Sequence, residues 1–301
     1  MKKHYSLLFA FWVICSSFFV SCDEDLNRCK ITVTSTEGGK AKISKYFETS
    51  EDVLFGSEIE VVALPDEGYV FKGWYLGDST EPVSHDAVFI FVATKDITLI
   101  AKFVSSFING HKYVDLGLPS GLLWATCNVG ASTPEGCGGY YAWGETEEKG
   151  NYDFSTYKWC DGSEYTMTKY STDSCYGTVD NKTVLDLEDD VAHVKWGGTW
   201  RMPTIEELCE LYNNCTWNWT AQKGVYGYKV TGPNGNSIFL PAAGSRYGTR
   251  AYDRGSSGYY WSSSLDSNGS YYACGLFFDS GYYGWGDSGR CNGRFVRPVS
   301  E

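Results

Sequence analysis

Residues 245–294 restrict the possible fold more than any other segment of the chain. They contain 10 Gly, 10 Ser and 8 Tyr, so 28 of these 50 residues belong to three types. Glycine and serine are weak helix formers, and tyrosine favours strands. The segment therefore predicts short strands and loops. The whole chain points the same way, because 17% of it is aromatic and it has 34 Gly and only 3 Met. Disorder, long coiled coils and helical bundles are excluded as leading interpretations.

The first residues have the pattern of an export signal. Lys2 and Lys3 precede an apolar stretch that ends at Val20, and ~15 apolar residues are fewer than the roughly 20 of a spanning helix. The sequence Phe19-Val20-Ser21-Cys22 resembles the lipobox of bacterial lipoproteins. This resemblance implies that residues 1–21 are a lipoprotein signal peptide and that Cys22 carries the lipid. An ordinary leader with an incidental cysteine is the alternative.

An acidic tether, residues 22–29, follows the leader. Its Asp23-Glu24-Asp25 triplet resembles the signal that sends Bacteroidetes-type lipoproteins to the outer face of the outer membrane, which implies display on the cell surface. A plain solvated linker is the simpler reading. The chain has 25 Lys and Arg against 37 Asp and Glu, a net charge of −12, and loss of Lys2 and Lys3 leaves 23 − 37 = −14. We expect no nucleic-acid partner, since such surfaces need clustered basic residues.

Residues 30–104 alternate between apolar and polar positions, which predicts half-buried antiparallel strands. The apolar positions are Ile31, Val33, Ile59, Val61, Ala63, Ile97, Leu99, Ala101 and Phe103. Within this segment, Gly68-Tyr69-Val70-Phe71-Lys72-Gly73-Trp74-Tyr75 resembles the Listeria–Bacteroides or internalin-type B repeat. The resemblance implies a small β-grasp-like module that acts as a spacer. We expect Trp74 to lie in its core.

Residues 108–301 form the second predicted domain, which contains one clear helix. Thr204-Ile205-Glu206-Glu207 is a capping box, and the apolar residues after it repeat at helical spacing. A weaker helix is predicted over 185–194. Its acids Asp186, Glu188, Asp189 and Asp190 are read as helix-end residues rather than as a calcium site. Asn234-Gly235 predicts a hairpin.

Six stretches of this domain together resemble the Fibrobacter succinogenes-type major paralogous domain. The resemblance implies a C-type-lectin-like fold with two short helices and a twisted antiparallel sheet, so the whole chain is expected to be α+β. The stretches are Val114-Asp115-Leu116-Gly117-Leu118-Pro119-Ser120-Gly121-Leu122-Leu123-Trp124-Ala125, Tyr141-Ala142-Trp143-Gly144-Glu145, Trp200-Arg201-Met202-Pro203-Thr204, Leu240-Pro241-Ala242-Ala243-Gly244, Tyr260-Trp261-Ser262-Ser263 and Val296-Arg297-Pro298-Val299.

Nine cysteines follow Cys22, and eight of them lie beyond residue 120. In an exported chain such a set predicts disulfides, and eight cysteines allow 105 pairings. The family resemblance implies a Cys127–Cys215 bond, with Cys160–Cys175, Cys274–Cys291 and Cys137–Cys209 as companions. Cys29 is then left over. The spacings typical of zinc sites do not occur in the sequence, and we expect neither a metal nor another cofactor.

The tyrosine-rich segment is also the candidate ligand-binding region. Antibody paratopes are rich in Tyr, Ser and Gly, because tyrosine gives a large contact area at low entropy cost. The expected ligand is a glycan or a protein on host or neighbouring cells, and about half of the paired aromatic residues should face the core. The candidate contact residues are Arg246, Arg250, Tyr252, Tyr271, Tyr272, Tyr282, Tyr283, Trp285 and Arg290.

Two other functions stay open at this point. The second domain could be a structural surface or fimbria-associated component that packs against neighbouring proteins. It could also resemble the formylglycine-generating oxidase, which shares the broad fold but needs a closely spaced cysteine pair. Cys274 and Cys291 are seventeen positions apart, and no nucleophile elbow or phosphate loop occurs. We therefore expect a binding protein rather than an enzyme.

Overall fold

The computed structural model describes residues 27–45 and 47–301. The leader and Cys22 lie outside the described residues. The chain divides into two compact units. The first runs to Pro65 and includes Phe71–Phe103, and the second combines Asp66–Val70 with Val104–Glu301. Strands dominate and helices are short, which confirms the β-rich α+β class. No helix within the described residues has the length and apolar character needed to cross a membrane.

Seven strands build two sheets in the first part of the chain, in the orders β3-β1-β7-β5 and β2-β4-β6. β1 runs parallel to β7, with Val33 opposite Leu99, and antiparallel to β3. The strands are β1 (Arg28–Ser35), β2 (Gly39–Ile43), β3 (Ser50–Leu54), β4 (Glu58–Pro65), β5 (Tyr69–Leu76), β6 (Val88–Val92) and β7 (Ile97–Ser105).

The core of the first unit contains every residue that the alternating pattern selected except Ile97, which is only half-buried, and also Ala41, Ile43 and Val53, which the pattern did not select. Ile31, Val61 and Leu99 have no exposed surface, because alternate strand residues point to the same face. Trp74 is also fully buried, and its indole nitrogen donates to the carbonyl oxygen of Asp86 at 3.1 Å. Its expected place in the core is confirmed.

Twelve short strands, β8–β19, build the second unit. They form sheets in the orders β19-β10-β9-β8, β11-β12-β13, β14-β15 and β16-β17-β18. β10 pairs with β19, so Trp124 lies opposite Val299 and the two ends of the unit meet in one sheet. The strands are β8 (Phe107–Ile108), β9 (His111–Asp115), β10 (Leu123–Ala125), β11 (Thr216–Gln222), β12 (Val225–Thr231), β13 (Ser237–Pro241), β14 (Ser245–Tyr247), β15 (Arg250–Tyr252), β16 (Ser257–Leu265), β17 (Tyr272–Asp279), β18 (Tyr283–Gly289) and β19 (Val299–Ser300).

The capping-box prediction is confirmed at helix α2 (Ile205–Asn214). The Thr204 side chain accepts from the backbone nitrogen of Glu207, and the Glu207 carboxylate accepts from the backbone nitrogen of Thr204. The helix buries Leu208 and Leu211 against the core. The hairpin prediction is also confirmed, since β12 and β13 pair as far as Thr231 and Ser237, on either side of the turn.

The weaker predicted helix is shorter than the sequence suggested. A 3-10 turn covers Leu187–Asp189, and helix α1 covers Val191–Trp196. A second 3-10 turn covers Phe154–Thr156. The break falls at Asp190, whose extended backbone and side chain form an N-cap that accepts from the nitrogens of Ala192 and His193.

The other acids of this segment surround a lysine. The ammonium nitrogen of Lys169 lies 2.7 Å from Asp186, 3.4 Å from Glu188 and 2.6 Å from Asp189. Hydrogen bonds from Lys169 and Lys182 lower the pKa of the Asp186 carboxyl to about 2. The positive charge at the centre of this acidic group therefore comes from the chain itself.

The expected disulfides are not formed. All nine cysteines of the described residues are free, namely Cys29, Cys127, Cys137, Cys160, Cys175, Cys209, Cys215, Cys274 and Cys291. In two of the four expected pairs, the surroundings of the cysteines explain why no disulfide forms. Cys160 is buried in an apolar cluster, whereas Cys175 is exposed. Cys274 lies beside Asp266, with the sulfur 3.8 Å from the carboxylate, while Cys291 belongs to the cluster that holds Cys160.

Candidate aromatic binding surface

The predicted contact residues do not form one surface. Arg250 and Tyr252 are exposed on β15, in a two-stranded sheet with β14. Arg246, on β14, is half-buried, and its guanidinium lies over the rings of Tyr140 and Tyr152, at 5.3 and 5.9 Å from their centroids. Arg246 therefore helps to hold the fold, and only Arg250 and Tyr252 of this group are fully open to a ligand.

Arg290 corrects the sequence prediction, because it has no exposed surface. Its guanidinium donates to the Tyr157 hydroxyl at 2.9 Å and to the backbone carbonyl oxygens of Lys169, Tyr170 and Ser270 at 3.0, 3.1 and 2.7 Å. These bonds connect the irregular segment between β10 and α1 to the start of β17. Arg290 is thus a structural residue that positions loops and cannot contact a ligand.

Tyr282 is exposed and lies in the turn between β17 and β18. Its ring stacks on Phe277 at 5.6 Å and covers Gly284, where an added Cβ would meet the Tyr282 hydroxyl at 2.6 Å. A glycine at position 284 is therefore needed for the ring to fold back over the strand. The Tyr282 ring consequently lies on the Gly284 face of β18, whereas the Tyr283 side chain points to the opposite face, because neighbouring strand residues point in opposite directions.

Tyr283 belongs to a line of rings that we call the aromatic row. It stacks on Trp217 at 4.8 Å with an interplanar angle of 12°, and Tyr212 of α2 lies 5.4 Å away. The row continues along the β11–β12 hairpin, where Tyr228 contacts both tryptophans and Trp219 lies parallel to Tyr226 at 6.2 Å. Its members are Tyr212, Tyr283, Trp217, Tyr228, Trp219 and Tyr226.

The aromatic row is buried in the middle and exposed at the Tyr226 end. Tyr228 is buried, whereas Tyr226 is 54% exposed. Trp285, two residues after Tyr283, shares its face of β18 and is 55% exposed. The sequence analysis missed the members outside residues 245–294. The alternation in Trp217-Asn218-Trp219, opposite Tyr226-Gly227-Tyr228, was the signal that could have found them.

Tyr271 and Tyr272 belong to another group, which we call the tyrosine ladder. Their ring centroids are 4.0 Å apart, Tyr176 lies 5.1 Å from Tyr271, and Tyr165 stacks on Tyr176 at 6.3 Å with an angle of 13°. Tyr165 is 62% exposed and the other three are half-buried. The ladder therefore combines the predicted pair with two tyrosines from the irregular segment, which no local pattern in the sequence linked to them.

The buried thiols near the C-terminus have little thiolate character. Burial raises the pKa of Cys274 and of Cys291 to about 12. A cysteine nucleophile needs a lowered pKa, because the thiolate is the reactive form. A cavity of about 130 Å³, lined in part by Lys229 and Phe239, is also small compared with ligand pockets, which span roughly 300–1,000 Å³.

Two β-rich units, the second with rows of partly exposed rings, define the chain as a two-part α+β protein. Two family models match it: a divergent InlB B-repeat domain at residues 29–106, and the Lcl C-terminal domain at residues 118–300. The second match covers more than half of the chain, so the chain belongs to the Lcl C-terminal domain family. The first confirms the internalin-type motif. No curated protein and no solved structure gives a significant match.

Proposed function

We propose that this protein is a non-catalytic, ligand-binding protein of the cell surface, with an adhesin-like role, and that its aromatic row recognises glycans. The observation that carries the proposal is the exposure of Tyr226, whose ring lies parallel to that of the half-buried Trp219, together with the exposure of Trp285 on the face of β18 that it shares with Tyr283. Flat rings offer pyranose sugars an apolar face, and aromatic residues dominate the energetics of recognition surfaces.

The partial burial of the row supports a binding role. Trp217 is fixed by stacking on Tyr283, and Tyr228 is fixed in the core between the two tryptophans. Rings held in this way lose little conformational freedom when a ligand binds. Less of the binding free energy is therefore needed to order them. Exposed tyrosines without such support, such as Tyr247, offer a less preorganised contact surface.

The proposed architecture is a C-type-lectin-like head, similar to the Fibrobacter-type major paralogous domain, on a β-grasp-like spacer. Two short helices, the antiparallel sheets and the pairing of β10 with β19 support the head. Lipidation at Cys22 and the acidic tether would anchor the protein at the outer membrane with the head exposed. Replacing Cys22 with alanine should release the protein from the membrane fraction. Retention of the variant in that fraction would contradict the anchor.

Two observations favour binding over catalysis. The raised pKa values of Cys274 and Cys291 leave them protonated at neutral pH, unlike the reactive thiols of a formylglycine-generating oxidase. Glu145 is held by Lys149 at 2.8 Å and by the backbone nitrogen of Lys158 at 2.8 Å, which is a structural arrangement. A specific turnover of any substrate would overturn the non-catalytic proposal.

A glycan array with the full-length protein tests the proposal. Glycans that bind should then lose at least about 10-fold in affinity when Trp219 and Tyr226, the stacked pair at the exposed end of the row, are both replaced with alanine, as expected for aromatic anchors. Tyr247→Ala is the matched control, because Tyr247 is 60% exposed on β14 and lies outside the row. An array without binding, or binding that survives the double substitution, would contradict a glycan-binding row. The structural alternative, a surface or fimbria-associated component, predicts self-association or subunit contacts instead.

A further inference from the structure

The tyrosine ladder differs from the aromatic row in its electrostatic surroundings. Three carboxylates act on its rings: Glu164 and Asp287 on Tyr271, and Asp173 on Tyr176. Two of them, Asp173 and Asp287, are exposed, and Glu164 is half-buried. None of the three forms a salt bridge within residues 27–45 and 47–301. The ladder is thus a partly exposed set of electron-rich rings with an acidic rim.

Tyrosine rings elsewhere in the second unit already carry cations. Lys149 lies over Tyr152 and Tyr157, Lys169 lies over Tyr170, and Arg246 lies over Tyr140. Among the residues that the structure describes, no lysine or arginine lies over a ladder ring. The ladder therefore offers both halves of a cation site, uncovered ring faces and carboxylates without a salt bridge within the described residues. Asp287 also attracts the buried guanidinium of Arg294, whereas Glu164 and Asp173 lie at the Tyr165 and Tyr176 end of the ladder.

Backbone hydrogen bonds also hold the chain segments that carry the tyrosine ladder. The buried guanidinium of Arg290 donates to the carbonyl oxygen of Ser270, and the backbone nitrogen of Arg290 donates to the carbonyl oxygen of Tyr271 at 3.0 Å. On the other side, Met167 bonds to the backbone of Tyr176 at 2.7 Å. The backbone that carries Tyr271 and Tyr176 is therefore held in place before any ligand arrives.

We propose that the tyrosine ladder binds an arginine-containing basic segment of a partner protein. Arginine fits the site better than lysine, because its planar guanidinium stacks on aromatic faces and forms two hydrogen bonds with a carboxylate. The net charge of −12 favours the approach of a basic partner. A neutral glycan can donate hydrogen bonds to Glu164, Asp173 and Asp287 but leaves their three negative charges uncompensated. The ladder is thus a second recognition surface, and it is independent of glycan binding at the aromatic row.

The test measures binding of the full-length protein to a short labelled peptide in which arginines alternate with glycine and serine. We expect salt-sensitive binding, weaker binding when lysine replaces arginine, and none when uncharged citrulline replaces it. Tyr165→Ala should weaken binding by about 2- to 5-fold, and Tyr165→Phe, which keeps the ring, should not. Tyr226→Ala, in the aromatic row, is the matched control and should bind as the unaltered protein does.

A charge-matched comparison separates the site from general attraction to an acidic protein. The neutralised ladder variant Glu164→Gln/Asp173→Asn/Asp287→Asn should lose about 10-fold or more in affinity. The control Glu37→Gln/Glu58→Gln/Glu81→Gln removes the same charge from exposed positions of the first unit and should change affinity little. Equal losses in both variants, binding of the citrulline peptide, or unchanged binding by Tyr165→Ala would overturn the proposal. Circular dichroism melting confirms that each variant is folded.

Discussion

The guanidinium of Arg290 donates to the backbone carbonyl oxygen of Ser270 at 2.7 Å, and so joins the residue after β18 to the approach of β17. The same group reaches the carbonyl oxygens of Lys169 and Tyr170. One buried side chain therefore fixes three chain segments. Since carbonyl oxygens buried without partners are costly, the removal of this side chain should affect much of the second unit.

Replacing Arg290 with methionine should lower the free energy of unfolding of the second unit by about 3 kcal/mol, because several buried carbonyl oxygens lose their donor. Urea unfolding followed by tryptophan fluorescence measures the change. Arg250→Met is the control, since Arg250 is exposed on β15, and it should stay within about 0.5 kcal/mol of the unaltered protein. Equal stability of the two variants would mean that the hydrogen bonds of Arg290 contribute little.

Two glycines of the irregular segment should respond very differently to alanine. At Gly177 (φ +139°), an added Cβ would collide with the backbone of Met167, and so we expect a loss of about 3 kcal/mol or more and a displaced Tyr176. At Gly162 (φ +84°), no atom lies within 4 Å, and only the backbone strain of about 1–2 kcal/mol applies. Thermal melting of the two variants, compared side by side, checks which substitution costs more stability. A larger loss at Gly162 would contradict the close approach at Gly177.

The second unit should lose stability as pH rises above about 10. Burial raises the pKa of Tyr157 and Tyr260, whereas tyrosines of the unfolded chain ionise near their usual value of about 10. The folded protein then holds more protons than the unfolded chain, so this contribution is complete below that pH and is lost above it. Burial lowers the pKa of Arg294 to about 10 and also lowers the pKa of Arg297. These two groups act in the opposite direction but are fewer than the tyrosines with a raised pKa, which also include Tyr141 and Tyr170. A part of the rise in tyrosinate absorbance should coincide with the loss of near-ultraviolet circular dichroism, and complete ionisation of the tyrosines before that loss would contradict the prediction.

Replacing Lys169 with methionine should raise the pKa of Asp186 from about 2 towards its ordinary value, although Lys182, at 2.5 Å, still lowers it. Because the folded-state pKa is lowered, this carboxylate stabilises the fold above its ordinary pKa of about 4, and the contribution is lost as pH falls towards 2. The variant should therefore lose less stability than the unaltered protein as the pH falls towards 2. Carbon NMR titration of Asp186 measures the shift. Lys195→Met, which removes the partner of Glu147, should leave the Asp186 titration unchanged.

Local patterns in the sequence predicted the elements that local physics determines. Alternation found the buried positions Ile31 and Leu99, and the capping box placed the start of α2 at Ile205. Asn234-Gly235 marked the hairpin, because an exposed turn with a left-handed glycine has few other sequence solutions.

The candidate site could be predicted only in part, because its members meet through tertiary contacts. Arg290 stands in a segment rich in exposed residue types, and composition gives no sign that it is buried. Trp217 and Tyr283 are far apart in the chain and meet only when α2 and two sheets pack together. The disulfide prediction was wrong for this structure, since a cysteine count contains no information about the distance between sulfur atoms.

The parallel pairing of β1 with β7 has a mechanical consequence. The chain enters the first unit at the beginning of β1 and leaves it at the end of β7, and parallel strands place these two points at opposite ends of the pair. A pull along the chain would therefore slide the strands past each other and load all their hydrogen bonds together, instead of opening them one after another. The first unit should therefore resist a stretching force applied between the start of β1 and the end of β7.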